Sequence, residues 1–312
     1  MPFIDTVASA ILKGSGFIVA LTGSRGSSRI SRLVSPYLKD GIDSIKTEDG
    51  VFMFGARDVY WNRLLMIGFS YEPEIRNILH AIRKVDYSFI DGGANFGYWS
   101  VLVSGPKLGS KKVLAIEASA ETFAMLKRNQ EANGERFQIL QRAIWSRSDD
   151  QLTFRSGAHA GRGIGAGDEV VTTISLDDCV RSFAPAGNIV VKLDVEGAEV
   201  EVISASQALA TANALLVYED HGKDGTHEVT RTLRELGYAT AFLARDKVIP
   251  LGDVAELDRL KTHRAVGYNL IAYTKGGYWE RTLLECGLIA QITRPDSSIE
   301  EPSEDQQLER IS

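Results

Sequence analysis

Tyr87-Ser88-Phe89-Ile90-Asp91-Gly92-Gly93-Ala94-Asn95-Phe96-Gly97 decides the fold. A short apolar run ends at an acid, and a glycine-rich turn passes straight into helical periodicity over residues 98–104. Strand, glycine turn and helix in that order form the opening unit of an open α/β sheet, where glycine lets backbone approach a ligand closely. The unit then recurs downstream. Residues 113–116 read as a second buried strand ending at Glu117, and Ser119 is placed to cap a helix that Gly134 stops.

Further strands are predicted at 137–140, 189–193, 215–218, 239–243 and 269–273, about seven in all. Helices are predicted from about Ala198 and over 227–236, the latter stopped by Gly237. Upstream, Pro73 suits a first helical turn, and Ile75, Ile78, Leu79 and Ile82 follow the spacing of one buried face. Leu152-Thr153-Phe154 and residues 170–176 together read as a hairpin flanking the sheet. The fold class is therefore α/β: a Rossmann-like seven-stranded sheet with helices on both faces, plus a mostly helical N-terminal extension. The expected organisation is an extension over 1–67, a ligand-binding domain over 68–275, and a segment over 276–312 ending in a disordered acidic tail.

With 44% apolar and 24% charged residues among 312, the composition is that of a folded globular chain. Cys179 and Cys286 have no partner motif, so a disulfide framework and a CxxC site are both disfavoured and a reducing, cytoplasmic setting is expected. Of the net charge of −6, residues 296–312 carry most, with six acids and one base. The nearly neutral body has no basic excess for sequence-independent phosphate binding, which argues against a nucleic-acid partner. Residues 3–21 are broken by Asp5, Lys13, Gly14 and Gly16, so neither a spanning helix nor a signal peptide is expected. The favoured reading is an amphipathic helix packed on its own domain, with membrane-surface contact as the alternative.

Ligands of such sheets bind beyond the carboxyl ends of the strands. Asp91, Glu117, Asp194 and Glu219 stand there, one per strand. The turn reads only G-x-A-x-x-G and follows an acid. A fixed carboxylate beside a pyrophosphate costs Coulomb energy in a partly buried cleft, whereas it attracts an ammonium or sulfonium. S-adenosylmethionine carries both cations and no phosphate, so it suits this turn better than NAD does. Glu117 can accept the ribose hydroxyl protons, as acids do at the second strand of dinucleotide folds.

Asp91-Gly92-Gly93-Ala94-Asn95-Phe96-Gly97, Leu176-Asp177-Asp178 and Lys192-Leu193-Asp194-Val195-Glu196-Gly197-Ala198-Glu199 resemble the FkbM-type methyltransferases, and Tyr71-Glu72-Pro73-Glu74 fits the same pattern. The similarity runs from about Gly68 to Tyr273, and the string from Lys192 to Glu199 is its specific part. In place of Gly92 that family often has an aliphatic residue. The resemblance implies a seven-stranded Rossmann-like domain with an antiparallel last strand. It also implies S-adenosylmethionine as methyl donor and a hydroxyl of a sugar, glycan precursor or polyketide-like metabolite as acceptor.

The expected cofactor-binding set is Asp91, Gly93, Asn95, Phe96, Gly97, Glu117, Ala118, Ala143 and Asp194; the expected catalytic set is Asp194, Glu196 and His221. Methyl displacement needs alignment and a group to take the hydroxyl proton. Asp194 is best placed for that, Glu196 lies two residues on, and His221 is of the one side-chain type whose unperturbed charge change falls near neutral pH. Helix capping competes for Glu196 and Glu199, and a backbone-bonded loop histidine competes for His221. No metal is expected, although Asp194, Glu219, Asp220 and His221 are types that suit a divalent cation. Five glycines between Arg155 and Gly167, with His159 and Arg162, read as a flexible surface loop or as a lid over the acceptor. Trp61, Trp99 and Trp145 are read as core aromatics before stacking platforms. The competing functions are an NAD-linked oxidoreductase, which would want a Tyr-x-x-x-Lys relay after the fourth strand, and a binding or scaffold protein without chemistry.

Overall fold

The structure is a computed structural model that describes residues 2–21, 26–155, 163–164, 169–184, 187–195, 197–221, 225–245, 247–262 and 267–289. Its central sheet has eight strands: β1 (Ser88–Gly92), β2 (Lys112–Glu117), β3 (Gln138–Gln141), β4 (Asn188–Leu193), β5 (Asn213–His221), β6 (Tyr238–Leu243), β7 (Val248–Pro250) and β8 (Gly267–Thr274). Their spatial order is β3-β2-β1-β4-β5-β8-β6-β7. β3 to β5 run parallel, while β8 is antiparallel to both β5 and β6. Seven of these are the predicted core strands. The eighth, β7, is a three-residue edge strand closing a hairpin with β6, and Pro250 is tolerated there because an edge needs no further donor.

The chain runs outward from β1 to β3 and returns to β4 beside β1, so the direction of winding reverses between β1 and β4. A crevice opens at such a switch point. Strand alternation then sorts the side chains by face. Phe89, Val113, Ala115, Val190, Leu215, Val217 and Ile271 enter one core cluster together with the helices Pro73–Ala81 and Tyr98–Val103. Ile90, Leu114, Ile116, Val191, Leu193, Leu216 and Tyr218 enter the cluster on the opposite face.

The predicted flanking hairpin is present: Gln151–Arg155 pairs antiparallel with Glu169–Ser175, whose end also runs parallel to Ala143–Trp145. The first 67 residues form the helices Pro2–Leu21 and Ser27–Val34 and a hairpin of Ile42–Thr47 with Gly50–Gly55, an element the helical expectation for this segment lacked. That hairpin is fastened to the helix Ala120–Ala132 by Asn129, which is fully buried. Its Oδ1 accepts from the Met53 amide (2.6 Å) and its Nδ2 donates to the carbonyls of Met53 (2.9 Å) and Phe96 (2.8 Å). The extension is thereby anchored directly over the glycine turn.

Candidate active site

The turn after β1 is held from below and from both sides. The amides of Gly93 and Ala94 both donate to the Ile116 carbonyl on β2, and the Asp194 amide donates to the Gly92 carbonyl from β4 (3.0 Å). Gly93 has φ +73°, and a Cβ there would stand 1.8 Å from the Asp194 carbonyl oxygen. Only glycine allows the β1 and β4 tips to close this far. Asn95 also lies in the left-handed region (φ +53°), which asparagine tolerates better than most residues. Its Oδ1 accepts from its neighbour's amide, Phe96 N (2.8 Å), and from Trp61 Nε1 (3.2 Å).

Glu117 ends β2 and is buried. One carboxylate oxygen accepts from the Asn95 amide and the other from the Ser119 amide, each at 2.9 Å. The acid thus ties the glycine turn to the head of the helix Ala120–Ala132, where Ser119 is the predicted N-cap. A carboxylate is an acceptor-only group with about four lone-pair positions, the type of group that binds hydroxyl donors. Ala118 and Ala143 pack together beside it with Val171.

Alternation and register place the charged strand-end groups on one face. Lys192 pairs with Asp91 across β4 and β1 and with Val217 across β4 and β5, and Glu219 and His221 follow Val217 in phase. Lys192 is buried, and its Nζ lies 3.0 Å from Asp194 Oδ2. Burial alone would lower the lysine, but Asp194, Glu72 and Asp91 outweigh it and hold the ammonium well above its usual range. Asp91 is fully buried with Ser100 Oγ donating to it at 2.6 Å, and burial pushes its carboxyl up against the opposing pull of Lys192. Glu72 is raised in the same way, first by burial and then by Asp194.

Glu72 reaches this cluster from the head of the helix Pro73–Ala81, with φ +39°. Trp99 Nε1 donates to one of its oxygens (2.7 Å) and Asn269 Nδ2 to the other (3.3 Å). Tyr60 and Tyr71 stand next to it with their hydroxyls 2.9 Å apart. Both phenols are pushed up by burial first, and then by the negative charge of Glu72 and, more weakly, Asp194. The extension therefore supplies Tyr60 and Trp61, and the segment just after it Tyr71, to an aromatic wall against the β4 tip.

Asp91, Gly93, Asn95, Phe96, Gly97, Glu117 and Asp194 gather at the adjoining tips of β1, β2 and β4. His221 lies on the same face but one strand away, with Nδ1 3.7 Å from Glu219 Oε1. Glu196, like His159 and Arg162 of the expected lid, lies outside the described residues. Glu199, the first residue of the helix Glu199–Ala205, does not cap it, since its N-cap Ala198 has no side-chain cap bond; buried, it accepts from the loop amides of Val195 (3.0 Å) and Gly197 (2.8 Å) and shapes the loop after Asp194. Asp220 points to the opposite face, where Thr230 Oγ1 and Lys261 Nζ donate to it, so it cannot join Asp194 around a cation. Among the described residues no group of three or more His, Cys, Asp or Glu side chains is arranged to hold a metal.

Leu176-Asp177-Asp178 proves to be scaffolding. Asp177 accepts from Ser206 Oγ (2.7 Å) and from the amides of Ala208 (2.9 Å) and Gln207 (3.2 Å), while Asp178 accepts from Ser148 and Arg181. A cavity of about 260 Å³ opens there beside Trp145 and Ser206, lined by none of the expected site residues. Trp61 and Trp99 are buried, as core aromatics should be.

Lys192, Glu72, Tyr60 and Tyr71 were not among the expected site residues. A lysine inside the apolar run Ile189-Val190-Val191-Lys192-Leu193 was the available signal, because a lysine is almost never buried unless paired. The two tyrosines gave no such signal, since only tertiary packing brings them here.

Residues 91–240 match the family model described as Methyltransferase FkbM domain. The chain is 29% identical over 188 residues to the hexuronic acid methyltransferase AglP of Haloferax volcanii, covering 58% of this chain and 76% of that protein. Among solved structures it aligns with methyltransferase FkbM from Methylobacillus flagellatus KT, at 14% identity and a TM-score of 0.38 over 82% of this chain and 60% of that one. It also aligns with precorrin-6y C5,15-methyltransferase from Geobacter metallireducens GS-15, at 13% identity and a TM-score of 0.37 over 64% and 88%.

Proposed function

We propose that this methyltransferase, which carries an FkbM methyltransferase domain over residues 91–240, transfers a methyl group from S-adenosylmethionine to a hydroxyl of a sugar or glycan precursor. One observation carries the donor assignment: three carboxyl groups, Asp91, Glu72 and Asp194, share the buried ammonium of Lys192 at the switch point, so acidic groups outnumber the cation there. An acidic crevice suits a cationic, phosphate-free donor and repels a pyrophosphate. The residues present fit that group. Glu117 places a carboxylate acceptor for ribose hydroxyls at the second strand end, Ala118 and Ala143 offer a small apolar bed for a base, and Gly93 keeps backbone open to a close ligand.

When bound, S-adenosylmethionine supplies a methyl group on a sulfonium, ready for direct displacement. The protein's part is alignment and proton handling. Lys192 occupies Asp194 Oδ2 and orients the carboxylate, so Oδ1 is the atom that takes the proton from the acceptor hydroxyl. Tyr60 and Tyr71 close the acceptor side and exclude water, their raised phenols staying neutral donors and acceptors for sugar hydroxyls. His221 stands at the rim beside Glu219, Nδ1 3.7 Å from Oε1, within reach of an acceptor that extends past Asp194. The hexuronic acid methyltransferase relative supports a sugar as acceptor.

Calorimetric titration with S-adenosylmethionine and separately with NAD tests the donor, and binding of NAD alone refutes the reading. Transfer of label from methyl-labelled donor to uronic acids and neutral hexoses then tests the acceptor. Label that reaches no sugar refutes that half.

A further inference from the structure

Among the described residues nine large hydrophobic side chains are exposed, and six of them, Ile4, Val7, Ile11, Leu33, Tyr37 and Ile67, belong to one corner of the extension. Single exposed apolar residues are ordinary, but such a concentration marks an interaction surface. Ile4, Val7 and Ile11 follow i, i+3, i+7 spacing along the helix Pro2–Leu21, beside the buried stripe of Ala8 and Leu12 that packs on Val34, Leu38 and Met66. Ile67 joins the same helix through its amide, which donates to the Lys13 carbonyl (3.3 Å). The start of that helix meets residue 39, whose amide donates to Asp5 Oδ1 at 2.7 Å.

Charge distinguishes this corner from the rest of the chain. Residues 1–40 hold five basic side chains against two acidic ones, in a protein whose net charge is −6. Lys13, Arg29, Arg32 and Lys39 are all exposed. Asp5 accepts from the Lys39 amide and Asp40 pairs with Arg57. No helix among the described residues is long and apolar enough to cross a membrane. Exposed aliphatic side chains and exposed bases on two non-spanning helices packed together are the means by which a protein lies on a lipid surface.

The geometry points to the face formed by the helices Pro2–Leu21 and Ser27–Val34 as a docking surface for an anionic phospholipid bilayer, with Ile4, Val7 and Ile11 inserted at the headgroup level and Arg29, Arg32 and Lys39 on the phosphates. The same extension carries Tyr60 and Trp61, which pack on Tyr71, so docking would set the acceptor side of the crevice against the membrane. The surface is independent of the donor assignment.

Co-sedimentation of the full chain with vesicles of phosphatidylcholine alone, and of phosphatidylcholine mixed with phosphatidylglycerol, tests it. The chain should pellet with the mixed vesicles and not with the neutral ones, and salt should release it. Arg29→Glu should weaken partitioning at least about fivefold, and so should Arg32→Glu, from the usual contribution of one basic residue near an anionic surface. Ile4→Asp with Ile11→Asp should abolish binding while leaving the thermal transition in place, since both positions are already in water. Failure of the unaltered chain to pellet with anionic vesicles overturns the proposal. So does a dimer in solution that the Ile4→Asp, Ile11→Asp variant converts to monomer, which would make the face a contact between two copies.

Discussion

Lys192 Nζ stands 3.0 Å from Asp194 Oδ2, two residues along one strand tip, in a register that sets Lys192 against Asp91 on the neighbouring strand. The lysine is the common counter-ion of acids from three separate elements: Asp91 on β1, Glu72 on the approach to the helix Pro73–Ala81, and Asp194 after β4. A buried ion cluster of this kind has a function only if its geometry is kept. Removing one member leaves uncompensated charge in a poorly solvated place.

Lys192→Met should therefore cost about 3 to 5 kcal/mol of folding stability, the usual penalty for stripping one partner from a buried pair. Urea denaturation at neutral pH measures it. A loss below about 1 kcal/mol would mean that the acids are solvated and that the cluster is an exposed one.

Asp194→Asn should lower turnover by on the order of 10² to 10⁴ fold, the range for losing a positioned proton acceptor. Asparagine still accepts from Lys192 through its carbonyl, so the fold and the calorimetric affinity for S-adenosylmethionine should survive. Unchanged turnover would pass the role to His221 or Glu196.

Glu117→Ala should weaken S-adenosylmethionine binding by about 1 to 3 kcal/mol, because the ribose hydroxyls lose a charged acceptor and the Asn95 and Ser119 amides lose theirs. Isothermal titration gives the value directly, and an affinity equal to that of the unaltered chain would take Glu117 out of the donor site.

Gly93→Ala should cost more than about 1 kcal/mol in stability and should also reduce donor affinity. The added methyl meets a backbone carbonyl at 1.8 Å, and that atom belongs to the β4 tip and cannot swing aside as a side chain can. Thermal melts and titration calorimetry together check it; an unperturbed melt would show that the turn opens freely.

Local grammar carried most of the fold. Strand, glycine turn and capped helix repeat with short connections, and Ser119, Gly134 and Gly237 act at the helix ends where capping chemistry places them. β7 was not legible, because three residues at an edge have no periodicity to detect. The strand-end acids were legible for the same reason as the strands, and alternation alone puts Asp91, Lys192, Glu219 and His221 on one face. What local pattern could not supply was traffic between distant segments. Tyr60 comes to the site on an extension whose hairpin Asn129 fastens over the turn, and the bonds of Asp177 to Ser206, Gln207 and Ala208 join segments about 30 residues apart. Asp220 sits between two acid-face residues in sequence, yet one step along a strand reverses its direction.

Glu72 offers a test of the cluster through pH. Burial raises its carboxyl above the ordinary value of 4.5, so the folded protein holds this proton more tightly than the unfolded chain does. The sign follows from linkage: the stabilisation is complete below 4.5 and is lost as pH rises through the raised folded value. Asp91 is shifted in the same direction and titrates in the unaltered chain and the variant alike. Lys192 is raised too, but its contribution falls away only above its ordinary value of 10.5, outside this window. Glu72→Gln keeps an acceptor for Trp99 and cannot titrate. Its stability, measured by urea unfolding from pH 4.5 upward, should fall less steeply than that of the unaltered chain, by at most about 1.4 kcal/mol per pH unit for one proton. Parallel curves would mean that Glu72 is ionised at the same pH in both states, and that Lys192 together with Trp99 offsets its burial completely.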